Sequence, residues 1–150
     1  MHKGYWLVIS VALVLINEVT VHWLVAVLVG HYNVDDGYAV AGRYFALGSF
    51  LFSAAFRALP YLILVPVAVI SGLHYTVQGK SALWSALVAV AGIHFWGYWD
   101  MLEPLYTAEH ASSTAALAIV FVPIHSVWMG ALAGLLAFVL VKAGLLMFKR

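Results

Sequence analysis

The sequence predicts an all-α integral membrane protein: a four-helix transmembrane bundle with both termini in the cytoplasm and an extra outer-side segment before the second span. Two observations lead to this fold class. Of the 150 residues, 65% are hydrophobic and only 9% are charged, whereas soluble domains carry about 25% charged residues. The apolar residues also form runs near the roughly 20 residues that a helix needs to cross a bilayer.

We expect a single transmembrane domain over residues 1–150, because no loop is long enough to hold a separate soluble domain. Its four spans are predicted at about residues 5–29, 56–76, 81–102 and 120–146. The first run is too long for the apolar core of a signal peptide, and it carries polar side chains, so we interpret it as a retained span. Pro104 ends the third span, because proline cannot continue a helix.

The basic residues predict the topology. The apolar stretch 38–75 is too long for one simple helix, so it crosses the membrane either once or twice. A single crossing places five basic residues on one side, which the positive-inside rule makes cytoplasmic: Lys3, Lys80, Lys142, Lys149 and Arg150. Residues 38–55 then form the outer-side segment, which is either an interfacial helix or an extension of the second span.

Glu18 and His22 are the most informative residues of the first span. They lie four residues apart, on one face of a helix. An acid at the centre of a membrane helix costs ~2.5–3.5 kcal/mol on insertion scales, so these side chains need polar partners. At about 1.5 Å of rise per residue, His94 and His125 fall at a similar depth, in the outer half of the bilayer.

Three further polar side chains are expected to support this outer half. Arg57 enters from the outer side of the second span, where it can pair with Glu18. Asp100 and Glu103 lie above His94 at the outer edge of the third span, and face Arg57 or a partner protein.

In the first functional interpretation, the outer polar residues bind a cofactor in a redox or electron-transfer complex. His22, His94 and His125, together with Glu18, would bind a metal ion such as copper, zinc or iron, because imidazole and carboxylate groups suit these metals. Two of the histidines would alternatively hold a b-type haem. No HxxxH or HExxH motif supports this interpretation, which depends on the inferred depth of the residues.

Two other interpretations use the same residues. In one, the polar groups only satisfy one another, and the protein is a structural or assembly subunit of a larger membrane complex. In the other, Glu18 and His22 form a proton or ion relay in a small proton-coupled transporter. The sequence leaves the three interpretations open, and it leaves open whether the protein is an enzyme.

The composition limits the classes of ligand and partner that the protein can have. The chain has no cysteine, which excludes disulfides and thiolate ligands. A formal net charge of +1 gives no reason to expect nucleic-acid binding. The expected partners are membrane lipid and either other membrane subunits or a second copy, in the inner membrane of the cell. Gly130 and Gly134 form a GxxxG match, which favours packing within the bundle over a dimer face.

Overall fold

All regular elements that the structure describes are helical. A computed structural model of the chain describes residues 3–43, 45–108 and 117–147. Its helices are α1 Lys3–Leu15, α2 Glu18–Leu28, α3 Val34–Gly42, α4 Leu47–Ile70, α5 Val77–Leu102, α6 Pro104–Thr107 and α7 Ala118–Met147, with a 3-10 turn at Leu73–Tyr75. The prediction of an all-α fold is confirmed for this part of the chain.

The helix lengths fit a membrane protein. Helices α4, α5 and α7 are each long and apolar enough to cross a membrane, and the bent pair α1–α2 passes the same test when taken together. The three long helices have 24, 26 and 30 residues. They therefore reach about 36–45 Å, against a hydrocarbon core of about 30 Å. Helices α1 and α2, with 13 and 11 residues, are each too short to cross alone.

The first predicted span, at about residues 5–29, is divided into two helices in the structure. The chain bends by 63° between α1 and α2, and Asn17 accounts for the break. Its side-chain oxygen accepts hydrogen bonds from the backbone N–H groups of Val19 and Thr20 at 2.9 and 3.0 Å. Its side-chain amide donates to the Val14 carbonyl at 2.8 Å. One side chain therefore ends α1 and caps α2.

Replacing Asn17 by alanine is expected to lower the free energy of unfolding by about 1–2 kcal/mol, because α2 loses its N-cap and the Val14 carbonyl loses a partner. The measurement is equilibrium unfolding in detergent micelles, followed by circular dichroism. The matched control is Asn33→Ala. Asn33 caps the exposed helix α3 by accepting from the Asp36 N–H at 2.8 Å, and its loss should cost only about 0.5 kcal/mol. If both variants lost the same free energy of unfolding, Asn17 would stabilise the protein no more than an ordinary helix cap does, which would contradict its role in holding the break.

Helix α4 overlaps the predicted second span but begins and ends earlier in the chain. Helix α4 begins at Leu47 and ends at Ile70, whereas the prediction was 56–76. Of the predicted outer-side segment, 38–55, residues 38–42 belong to the end of α3 and residues 47–55 to the first turns of α4. Helix α3 packs on α2, where Trp23 Nε1 donates to the Val34 carbonyl at 3.1 Å.

The buried apolar residues form two clusters along the bundle. The first joins α1, α4 and α5 and consists of Tyr5, Ile9, Ala12, Tyr61, Ala68, Leu83, Leu87 and Val90. The second joins α2 and α5 and consists of Val21, Val25, Tyr98 and Leu102. The buried polar side chains of α2, α4 and α5 lie where these two clusters meet, next to the break in the first span.

Helix α7 packs chiefly on α5 through small residues. A Cβ atom at Gly134 would lie 3.1 Å from the Ala82 carbonyl oxygen, and one at Gly130 would lie 2.7 Å from a Val90 methyl group. Helix α7 can approach α5 closely because both positions are glycine. The GxxxG match therefore packs within the bundle, as the sequence favours.

Candidate functional site

The break in the first span places a carboxylate at the start of a helix. Glu18 is the first residue of α2, directly after the capping residue Asn17. The N-terminus of a helix carries a partial positive charge, which stabilises a nearby anion. The bend therefore both exposes Glu18 to the centre of the bundle and offsets part of the cost of its charge.

Arg57 of α4 compensates the charge of Glu18. Its Nη1 atom donates to Glu18 Oε2 at 2.6 Å, and only 4% of the Arg57 side chain and 17% of the Glu18 side chain are exposed. The same Nη1 donates to the Ser53 hydroxyl at 3.4 Å, and the guanidinium lies 5.3 Å from the centre of the Phe50 ring. The pairing of Glu18 with Arg57, which the structural interpretation of the sequence expects, is present.

His94 lies between two tyrosines, with no part of its surface exposed. Its ring stacks on Tyr61 of α4 at 5.6 Å between centroids, and Tyr98 of α5 lies 6.0 Å away on the same measure. Its Nδ1 is 2.8 Å from the Val90 carbonyl oxygen. Since a carbonyl only accepts, Nδ1 carries the proton, and in the neutral ring Nε2 is left as a bare acceptor.

We call this group of buried side chains the polar centre: Glu18, Ser53, Arg57, Tyr61, His94 and Tyr98. It is only partly satisfied. Four of its buried atoms have no hydrogen-bond partner among the described residues, namely Arg57 Nε, Tyr61 Oη, His94 Nε2 and Tyr98 Oη. Buried polar atoms are paired in the great majority of native structures, so each exception needs an explanation such as a bound water, an ion or a functional role.

His22 lies one helical turn after Glu18, towards α6. Its Nε2 is 2.8 Å from the Tyr106 hydroxyl, and the Tyr106 ring covers the turn at Gly30, where an added Cβ would lie 2.6 Å away. Tyr32 packs edge-on against the same ring. His22 therefore already has a hydrogen-bond partner in Tyr106 of α6.

The described structure does not gather His22, His94 and His125 around one point. His94 is enclosed by tyrosines, and His22 contacts Tyr106. His125 is exposed on α7, in an apolar groove of about 350 Å³ that Trp96 and Phe121 also line. Over residues 3–43, 45–108 and 117–147, no group of three or more metal-binding side chains is close enough to hold an ion. The predicted metal site of these histidines with Glu18, and the related haem site, therefore lack support.

The two acids at the end of α5 do not contact Arg57. Asp100 is exposed, and Glu103 Oε2 accepts a hydrogen bond from Trp99 Nε1 at 3.1 Å. Of the three residues expected to support the site, only Arg57 belongs to the polar centre.

Sequence reasoning did not assign Asn17, Tyr61 or Tyr98 to the site. It placed Ser53 on a polar face with Arg57 but gave Ser53 no role. Ser53, Arg57 and Tyr61 are spaced by four residues, as are His94 and Tyr98, so each set shares a face of its helix. That spacing was the available signal for the polar faces of α4 and α5. Asn17 directly before an acid is a recognisable start signal for a helix.

Comparison with known proteins identifies no relative: no family model, no curated protein and no solved structure matches the chain. The helices indicate a membrane protein, and the buried residues define a polar centre built on one ion pair. The function has to be inferred from this centre.

Proposed function

We propose that the protein is a small multi-pass membrane protein that moves protons, as a relay or as a proton-coupled transporter, and that Glu18 takes up and releases the proton. The observation that carries this proposal is the position of Glu18 at the break of the first span, paired with Arg57. An ionisable residue inside a membrane segment is a candidate functional site by default. Transporters commonly build their coupling sites at discontinuous helices.

The helix contacts suggest how proton uptake would act on the bundle. Helix α2 packs extensively on α3 and α5. Among the described helices, α2 and α4 share no extensive interface. The ion pair is therefore a direct connection between α2 and α4. Protonation of Glu18 removes its charge and leaves Arg57 with the neutral Ser53, which weakens that connection. A local charge change of this kind can bias a packing equilibrium.

His22 is the second member of the proposed relay. It lies on the face of α2 that carries Glu18, one turn nearer to α6, and its hydrogen bond to Tyr106 leads towards the loops. An imidazole exchanges protons near neutral pH more readily than any other unperturbed side chain. In the proposal, His22 passes protons between Glu18 and that end of the bundle.

The proposed topology has four spans, with the pair α1–α2 as the first span and both termini in the cytoplasm. The proposed location is the inner membrane of the cell. Lys80 lies in the first turn of α5 and Lys142 near the end of α7. Because successive spans run in opposite directions, both lysines fall at the end away from α3 and α6. Asp35 and Asp36 lie at the other end, in the first turn of α3. This distribution agrees with the positive-inside rule.

A second candidate function is that of a structural subunit in a larger membrane complex or a homo-oligomer. The observation that favours it is the large apolar surface of α7. Most of its long side chains are exposed, including Leu132, Leu135, Leu136, Val139 and Leu140. In this alternative the α7 surface contacts another subunit as well as lipid, and the Glu18–Arg57 ion pair serves only as a structural connection between α2 and α4.

Substituting Glu18 by glutamine tests the proposal. The purified protein is placed in lipid vesicles that contain a pH-sensitive dye, and a potassium diffusion potential drives protons across the membrane. Glutamine keeps the size and polarity of the side chain but cannot ionise, so E18Q is expected to reduce the proton flux to that of empty vesicles. The matched control is Asp100→Asn, the same chemical change at an exposed position of α5, which should leave the flux unchanged.

Two results would contradict the proposal. One is a wild-type flux no greater than that of empty vesicles, and the other is an E18Q flux equal to that of the wild type. Either result, in a protein that E18Q leaves folded, would favour the structural subunit.

A further inference from the structure

The unpartnered atoms of the polar centre come from two facing helices. Arg57 and Tyr61 lie one turn apart on α4, and His94 and Tyr98 lie one turn apart on α5. All four side chains are buried, with exposed fractions of 3%, 1%, 0% and 0% in that order. Tyr61 of α4 stacks on His94 of α5, and the Tyr98 ring lies beside the His94 ring. The four atoms therefore belong to one small region and not to separate defects.

The chemistry of these atoms defines the group that would satisfy them. Arg57 Nε can only donate a hydrogen bond, and a neutral His94 with its proton on Nδ1 can only accept at Nε2. The tyrosine hydroxyls do both. A single group that satisfies Arg57 and His94 must therefore accept from one and donate to the other, which a hydroxyl compound or water does and a simple anion or cation does not.

Charge and burial favour the smallest such molecule. The charge of Arg57 is already balanced by Glu18 at 2.6 Å, so the region does not require an ion. The Tyr61, His94 and Tyr98 rings follow one another at 5.6 and 6.0 Å between centroids. Their near-zero exposure gives a larger guest no direct route from the surface.

We propose that this region is a binding site for buried water, with at least one molecule that accepts from Arg57 Nε and donates to His94 Nε2, and with the two tyrosine hydroxyls as further partners. Buried waters typically make about three hydrogen bonds to otherwise unsatisfied polar groups, and the four atoms supply that number. This inference rests on the proposed function in one respect, because the water would hydrate Arg57 when Glu18 is protonated and the ion pair opens.

Infrared spectroscopy of the full chain in lipid vesicles tests the inference. Exchange of the solvent into H₂¹⁸O shifts the O–H bands of water and leaves the bands of tyrosine hydroxyls in place. We expect a sharp ¹⁸O-sensitive band of internal water in the wild type, which Y98F and Y61F each weaken and H94L removes. The matched control is Y5F. Tyr5 is also a buried tyrosine, but its hydroxyl already donates to the Leu83 carbonyl at 3.4 Å, so Y5F should leave the band unchanged.

The tyrosine variants also give a thermal readout. Removal of a hydroxyl that binds water should lower the melting temperature by about 2–4 °C, whereas removal of a hydroxyl in a dry site leaves the temperature unchanged or raises it. The inference is overturned if the wild type lacks the band, or if Y61F and Y98F leave both the band and the melting temperature unchanged. A missing band with a Glu18-dependent proton flux overturns the water site alone. A normal band with a flux independent of Glu18 supports the water site and overturns the proposed function.

Discussion

Replacing Arg57 by methionine is expected to lower the free energy of unfolding by about 3–5 kcal/mol, the cost of removing one partner of a buried ion pair. Methionine retains most of the length of the side chain and removes its charge. The loss arises because Glu18 loses the Nη1 donor at 2.6 Å and must either carry an unpaired charge in the apolar interior or take up a proton to remove that charge. Equilibrium unfolding in mixed detergent micelles measures this free energy directly.

The double variant E18M/R57M separates the ion pair from simple side-chain packing. When both partners of a buried pair become apolar, stability is often unchanged or increased by about 1–4 kcal/mol. We therefore expect the double variant to be more stable than R57M, with a coupling energy within the range of about 0.5–3 kcal/mol that interacting residues show. Additive losses at Glu18 and Arg57 would show that the two side chains do not stabilise each other.

The second large effect is expected at Gly79, in the first turn of α5. A Cβ atom at this position would overlap the backbone carbonyl of Leu73, in the 3-10 turn that leads into the helix. Because the obstacle is backbone, it cannot move aside as a flexible side chain can. Gly79→Ala is expected to destabilise the protein by about 1–3 kcal/mol, the usual range for overpacking.

Gly92 provides the matched control on the same helix. No atom outside its own helix lies within 4 Å of the position that its Cβ would occupy. Gly92→Ala should therefore increase stability by about 0.5–1 kcal/mol, the gain in helix propensity over glycine. Equal stability of the two alanine variants would contradict the close approach of Gly79 to the Leu73 backbone.

The helical part of the fold follows from hydropathy alone, but the helix ends do not. The second span was predicted at about 56–76, with residues 38–55 as either an interfacial helix or an extension of that span. The helix begins at Leu47 instead, and Arg57 lies well inside it. An arginine can be placed so deeply because Glu18 from another helix compensates it, a pairing that the sequence suggests without showing where α4 begins.

The break at Asn17 was within reach of local reasoning. Asparagine is a preferred N-cap, and an acid at the next position is typical of a first helical turn. The hydropathy of the run does not reveal this signal, because the residues before and after Asn17 are equally apolar. In a membrane segment, a local capping signal therefore predicts structure that the hydropathy of the whole run does not.

The described structure does not bring His22, His94 and His125 together, and the reason is geometric. Rise per residue gives the depth of His94 and His125 but not the direction in which each side chain points. The buried face of α7 carries Ser126, Gly130 and Gly134, spaced by four residues. His125 lies one residue, or about 100°, away from that face and is exposed. The stripe of small residues was the available sign that His125 points away from the bundle.

The central claim is that Glu18 changes its protonation state, and an infrared pH titration of the protein in vesicles tests it most directly. On acidification the chain's six Asp and Glu side chains all contribute to the loss of carboxylate bands and the gain of carboxyl bands, so the Glu18 contribution is the part that E18Q removes. We predict that this part is present in the wild type and in D100N and absent in E18Q. A difference spectrum that E18Q leaves unchanged would contradict the claim. In that case Glu18 stays ionised and the Glu18–Arg57 pair is only a structural connection between α2 and α4.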